Sequence, residues 1–283
     1  MRLVPLLSFA LVACITAPTD GAETAEDEDV LDPAGDEDGD GLTNSDEEEL
    51  GLDPYETDSD EDGFDDNVEL DAGTNPDFEW SHPFDEGEYL VGNCPVKPNE
   101  SAAGPTGEGS YSGTTWAAYA EGDILQNIAV GGIDSYEQEV TAYAFCGNYT
   151  LITVSAEWCG PCQAMASTMA EETETVRKKY PNFTFFEYLY QDNYGETSDK
   201  AVLAKWRKSY GLDGIPVVAP ADQNDAADEI SALTQGAGIP STTLLAPDMT
   251  VIWSSLDHPG EYYLSGAMSI KSAIKDYEDA QGE

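Results

Sequence analysis

The sequence predicts an α/β domain, a central mixed β-sheet flanked by helices with an extra hairpin on its N-terminal side, carried behind an acidic stalk. Three observations predict it. An apolar run, Tyr149-Thr-Leu-Ile-Thr-Val154, turns directly into Trp158-Cys159-Gly160-Pro161-Cys162 and a helical pattern. Strand and helix patterns then alternate toward the C-terminus, which implies crossover units and parallel pairing. The first third of the chain differs in kind: no Lys or Arg occurs from Leu3 to Val96, and roughly half of the 57 acids lie between Asp20 and Glu88.

With 283 residues, 40% of them hydrophobic, the chain can fill at least one proper core. A formal net charge of −46 argues against nucleic acid and against electrostatic docking on anionic lipid. Divalent cations are the more natural partner.

Met1-Arg2 is followed by an apolar stretch from Leu3 to Ala13, too short to span a bilayer as a mature helix and of the form of an export signal. Leu11-Val12-Ala13-Cys14 resembles the bacterial lipoprotein lipobox. That resemblance implies cleavage after Ala13, lipidation of Cys14, and an exported, membrane-attached protein of the cell envelope. The alternative is an ordinary secretory peptide with an incidental Cys14. Residues 1–13 are read as the signal and 14–35 as an acidic flexible tether.

Between Asp36 and Glu69 the acids fall into a pattern. Asp36, Asp38, Asp40, Asn44 and Glu47 occupy loop positions 1, 3, 5, 9 and 12, with Gly41 at the sharp turn and Leu42 offering its backbone carbonyl. Asp58, Asp60, Asp62, Asp66 and Glu69 repeat this, with Gly63 and the Phe64 carbonyl in the matching places. The set is all oxygen, as calcium prefers. The apolar residue sits at position 7, and no amphipathic helix is predicted to enter either loop. With Leu50-Gly-Leu-Asp-Pro54 and Leu70-Asp-Ala-Gly-Thr-Asn-Pro76 placed in parallel after the two loops, residues 36–77 look like bacterial thrombospondin type 3 repeats. The resemblance implies structural Ca2+ and a spacer role; an acidic tail matching by accident is the alternative. Without calcium such a segment should be expanded, because it has few apolar residues and repels itself.

From about Tyr89 to the C-terminus, residues 89–283, the composition is that of a globular domain. Asn99 to Gly113 reads as a loop, and Asp123 to Val130 is expected to pair with Gln138 to Tyr143 across a turn at Gly131-Gly132. A strand over Tyr149–Ser155 feeds a helix from about Pro161 to Lys179, with Met165, Met169 and Val176 on its core face. A strand over Phe183–Tyr190 and a helix over Ser198–Tyr210 come next. Gly238-Ile239-Pro240 precedes a hairpin of Ser241–Ala246 and Thr250–Trp253, and a last helix runs from about Ser265 to Asp279. A proline just before a strand is a plausible cis site.

Two cysteines at a helix start, separated by two residues, can close a small ring, and the first faces unsatisfied amides and the positive dipole end. Those features favour the thiolate, which is the nucleophile. Half of a zinc knuckle is the alternative, but Cys94, Cys146, His82 and His258 are isolated and supply no second ligand pair. Both histidines, each beside a proline in a polar loop, are read as surface groups. In an oxidising compartment Cys94 and Cys146 are expected to pair, closing a loop of about fifty residues for roughly 4 kcal/mol; two free buried thiols are the alternative.

Ala156-Glu157-Trp158-Cys159-Gly160-Pro161-Cys162, with Gly238-Ile239-Pro240-Ser241-Thr242 about eighty residues further on, resembles the thioredoxin superfamily, specifically its exported redoxin or TlpA-like oxidoreductases. Tyr210 to Val218 looks like that group's helix-to-strand insertion. The resemblance implies a thioredoxin fold in which Cys159 attacks a partner disulfide and Cys162 resolves the mixed disulfide. Pro240, expected to be cis, would align the partner, and Trp158, Gly160 and Pro161 would complete the site. It implies protein dithiol or disulfide substrates, a membrane-embedded electron donor and no organic cofactor. Gly-Pro between the cysteines is shared with reducing thioredoxins and suggests a reductase. Two departures stand out: Thr153 replaces a buried Asp, so proton transfer to Cys162 must use another group or water, with Glu157, near the surface turn, a weak substitute; and Gln163 replaces a basic residue. Glu187 reads as a strand residue without a catalytic role. Two other functions compete: a non-enzymatic surface interaction protein with a structural Cys159–Cys162 bond, and a peroxidase, which Ala156 in place of Thr disfavours.

Overall fold

The computed structural model describes residues 31–94, 105–111, 114–125, 131–220, 232–234, 238–258, 261 and 263–282. Leu3 to Ala13, Cys14 and most of the tether lie outside them. No described helix is long and apolar enough to cross a membrane.

Each acidic loop runs into a short helix, α1 (Asn44–Leu50) and α2 (Asp66–Ala72), and among the described residues no helix enters either loop. A capping box starts α1: Asp46 N–H donates to the Thr43 hydroxyl, and the Asp46 carboxylate accepts from Thr43 N–H. Gly51 and Gly73, at φ 82° and 83°, end the two helices in the left-handed conformation. The two loops touch, since Asn67 N–H donates to Asp40 Oδ2 at 3.2 Å and the Asn67 amide reaches the Asp40 carbonyl.

The two-loop region is in contact with the residues that follow it. The Phe64 ring stacks on His82 with centroids 5.4 Å apart, His82 packs on Phe84, Phe84 on Tyr89 and Tyr89 on Phe145. A ladder of rings therefore connects the second loop to the domain core.

Strands β1 (Gly107–Tyr111) and β2 (Thr114–Ala118) form a separate antiparallel pair. The main sheet contains β3 (Gly131–Asp134), β4 (Glu139–Thr141), β5 (Tyr149–Ala156), β6 (Phe183–Gln191), β7 (Val217–Ala219), β8 (Ser241–Leu245) and β9 (Val251–Ser254), in the order β4-β3-β7-β6-β5-β8-β9. β5, β6 and β7 are parallel to one another, and the remaining pairs are antiparallel. Helices α3 (Gly160–Arg177), α4 (Lys200–Tyr210) and α5 (Ala267–Gln281) contribute to one buried cluster, with Leu151, Phe185, Leu189 and Leu244 from the sheet. Ile152, Val154, Phe186 and Tyr188 point the other way, under Phe78, Tyr89, Tyr119 and the 3-10 turn Ala142–Phe145. Alternate residues of β5 and β6 thus serve opposite faces, as strand geometry requires.

Two expectations need correction. Gly131-Gly132 is not a turn but part of β3, which pairs with β4 through residues 135–138. Gly132 permits close approach of the neighbouring strand: a Cβ there would lie 1.9 Å from the Ala219 carbonyl oxygen of β7. The stretch read as a loop up to Gly113 contains β1, whose strand character comes from pairing with β2 and not from its Gly/Ser-rich composition. Of Asp123 to Val130, residues 126–130 lie outside the described residues, and Ile124 bridges Thr250.

Candidate active site

β5 is buried along its whole length and ends at Ala156, where the chain turns through Glu157 and Trp158 into α3. Cys159 is the helix N-cap: its sulfur accepts the Cys162 N–H at 3.2 Å, and its own N–H donates to the Ala156 carbonyl. Pro161 sits in the first turn, where its missing N–H costs nothing. Cys159 and Cys162 are joined as a disulfide. Cys162 is fully buried and Cys159 4% exposed, so Cys159 is the sulfur a partner can reach. That approach is open, because nothing lies within 4 Å of where a side chain at Gly160 would begin.

The Ile239–Pro240 bond is cis, and the Ile239 carbonyl oxygen lies 3.7 Å from the Cys159 sulfur. Two loops nearly a third of the chain apart thus meet at one sulfur. Trp158 is 48% exposed beside it, its indole N–H donating to Gln191 Oε1 at 3.1 Å. Gln163 donates to the Glu157 carbonyl, and the Glu157 carboxylate is held by Lys205 and by Asn193 N–H. Glu157, expected near the surface turn, is in fact buried at 8% exposure and held by its own partners.

Thr153 is fully buried in β5 and pairs in register with Glu187 of β6. Its hydroxyl donates to Glu187 Oε2. Glu187 is also fully buried, and its Oε1 has no hydrogen-bond partner. Burial pushes its carboxyl up to about 7, opposed in part by the Thr153 hydroxyl. The strand pattern gave no sign of this acid, because its partner lies on a neighbouring strand.

The remaining predicted residues lie elsewhere. Cys94 and Cys146 are joined in the second core cluster. His82 and His258 are not free surface groups: both are half-buried, His82 stacked on Phe64 and His258 on Trp253 with its ring nitrogen 2.7 Å from Glu121.

In the spacer, Asp36, Asp38 and Asp40 bring carboxylate oxygens within 4.8 Å of one another, as do Asp58, Asp60 and Asp62. Each of these acids except Asp58 satisfies backbone N–H groups of its loop through one oxygen, and Asp38, Asp60 and Asp62 each keep a buried Oδ2 unpartnered. Glu47 and Glu69 are fully buried with both oxygens unpartnered. Burial and the neighbouring aspartates push Glu47 up to about 7 and Glu69 up to about 9. An all-oxygen set with orphaned buried carboxylates suits a divalent cation. Asn44 and Asp66, at position 9, instead tie their loops: Asn44 accepts from Glu37 N–H and donates to the Asp32 carbonyl, and Asp66 accepts from Ser59. Asn67 was not foreseen, and its buried Oδ1 lacks a partner.

Residues 129–231 match the family model described as Thioredoxin. No curated protein matches the chain. Among solved structures, it is similar to the thioredoxin domain of a thiol-disulfide oxidoreductase from Bacteroides vulgatus, at 16% identity and TM-score 0.44, covering 56% of this chain and 99% of that one. A thiol:disulfide interchange protein from Bacteroides sp. matches at 17% and 0.41, covering 55% and 89%. A secreted disulfide oxidoreductase from Mycobacterium tuberculosis matches at 13% and 0.38, covering 52% and 96%. The family match supports a thioredoxin fold over about a third of the chain, around a Cys159–Cys162 disulfide that faces the cis Ile239–Pro240 segment.

Proposed function

We propose that the protein is an exported, membrane-anchored reductase of protein disulfides, held on a calcium-ordered spacer. The observation that carries the redox assignment is the dithiol pair at the N-terminus of α3 with the cis Ile239–Pro240 segment against Cys159. When the pair is reduced, the Cys162 N–H and the start of an 18-residue helix stabilise negative charge on the Cys159 sulfur. The thiolate attacks one sulfur of a partner disulfide, forming a mixed disulfide and expelling the other sulfur as thiolate. Cys162 then attacks Cys159, closing the internal disulfide and releasing the second partner thiolate. The partner gains two electrons, and a dithiol donor must return them to this domain. Gly160-Pro161 between the cysteines supports the reductase direction, and Leu11-Val12-Ala13-Cys14 supports export and anchoring.

Asp36, Asp38, Asp40, the Leu42 carbonyl and Glu47 would hold one Ca2+, and Asp58, Asp60, Asp62, the Phe64 carbonyl and Glu69 a second. The ions would supply structural charge neutralisation only. What supports this is the pair of buried glutamates with no other partner among the described residues. The test of the redox reading is reduction of a peptide disulfide by the freshly reduced full chain. Turnover that disappears in Cys159→Ser supports it, and a wild type as inert as that variant overturns it.

A further inference from the structure

Resolution of the mixed disulfide leaves one question of proton balance: Cys162 must lose a proton in a fully buried position before it can attack. Cys162, Met165, Ala166 and Met169 of α3 belong to the same buried cluster as Leu151 on β5 and Phe185 and Leu189 on β6. Thr153 is two residues from Leu151, and Glu187 two from both Phe185 and Leu189, so by strand alternation both side chains enter that layer. Glu187 pairs in register with Thr153 of β5 on one side and Val217 of β7 on the other, and the buried cluster on that face also holds Leu203 and Trp206 of α4 and the α3 residues just named. Among these, Cys162 once reduced is the one ionisable side chain. Glu157, which is buried but paired with Lys205, does not contribute to the shift of Glu187. Glu187 accepts from the Thr153 hydroxyl through Oε2 and keeps a buried, unpartnered Oε1, with no counter-charge contributing to its shift.

We propose that Glu187, acting through the hydroxyl of Thr153, is the proton acceptor for Cys162 in the resolving step. The proposal rests on the oxidoreductase reading. With the mixed disulfide formed at Cys159, the Cys162 S–H gives its proton to Thr153 Oγ1, which passes its own hydroxyl proton to Glu187 Oε2. The Cys162 thiolate then attacks the Cys159 sulfur, the Cys159–partner bond breaks, and the partner leaves as thiolate and takes a proton from water. Glu187 returns its proton to solvent before the next cycle. A carboxyl whose affinity for the proton lies near neutrality suits both halves of that exchange. The acid comes from β6, in register with Thr153 of β5.

The test is single-turnover kinetics of the reduced full chain with a peptide disulfide, resolving mixed-disulfide formation from its breakdown. In a Cys162→Ser background, Glu187→Gln should form the mixed disulfide at the unaltered rate. With Cys162 present, Glu187→Gln and Thr153→Val should each slow breakdown roughly tenfold or more at pH 7, and Glu187→Gln should remove the inflection near pH 7 from the profile. Breakdown at the wild-type rate with an unchanged pH profile overturns the proposal. Should Cys162→Ser form no mixed disulfide at all, the oxidoreductase reading fails, and this inference with it. If Glu187→Gln does not fold, infrared difference spectra of the wild type decide. A buried carboxyl stretch whose titration midpoint moves when the dithiol is reduced supports the relay, and a midpoint indifferent to it refutes it.

Discussion

Glu47 and Glu69 in the spacer and Glu187 in the sheet are all fully buried, and each has at least one carboxylate oxygen without a partner. Their surroundings differ. Glu47 and Glu69 sit among aspartates whose charges add to the cost of ionising them. Glu187 has no charged neighbour contributing, only the Thr153 hydroxyl and apolar side chains. A cluster of buried acids is relieved by a cation that meets several oxygens at once, whereas one buried acid is relieved by a proton. The same residue type thus points to metal binding in one region and to proton transfer in the other.

That contrast can be tested from the largest effect downward. In the fold Glu187 keeps its proton up to about pH 7, but in the unfolded chain it loses it near 4.5. The fold is therefore penalised increasingly as pH rises through that window, with no penalty at pH 4 and the full penalty above about pH 8. At saturating calcium, Glu187→Gln should raise stability to denaturant by about 3 kcal/mol at pH 8 and leave it unchanged at pH 4. A gain equal at both values would show that the carboxyl titrates normally. Glu69→Gln should weaken calcium binding by roughly 10–100-fold in titration calorimetry, while Glu187→Gln leaves the isotherm alone. An isotherm that responds equally to both would erase the distinction.

The aromatic ladder supplies a finer test. Because Phe64 carries a proposed ligand carbonyl and its ring stacks on His82, calcium should stabilise the redox domain as well as the spacer. His82→Ala should remove about 1 kcal/mol of that calcium-dependent stabilisation, read from thermal unfolding with and without chelator. Smallest of all, His258→Gln removes a half-exposed pair with Glu121 and a stack on Trp253, and should cost about 1 kcal/mol or less, independent of calcium.

The local parts of the site were legible in the chain. An apolar strand running into Cys-Gly-Pro-Cys encodes both the N-cap sulfur and the helix, and Gly238-Ile239-Pro240 before Ser241 marks the segment that meets it. What escaped depends on pairing between strands. Gly131-Gly132 has turn composition, and only the approach of Ala219 from β7 explains its place in a strand. Glu187 reads as an ordinary polar residue of β6 until register sets it beside Thr153, a residue that the sequence marked as a departure without showing what compensates it. Asn67 likewise gains its meaning from the other loop, where it meets Asp40.

The most direct measurement of the central claim is mass spectrometry of the Cys162→Ser chain after reaction with a peptide disulfide. The predicted result is a covalent adduct on Cys159, formed faster than on an unstructured cysteine at neutral pH and released by added thiol. A Cys159 that stays unmodified, or reacts no faster than an ordinary exposed thiol, would contradict it.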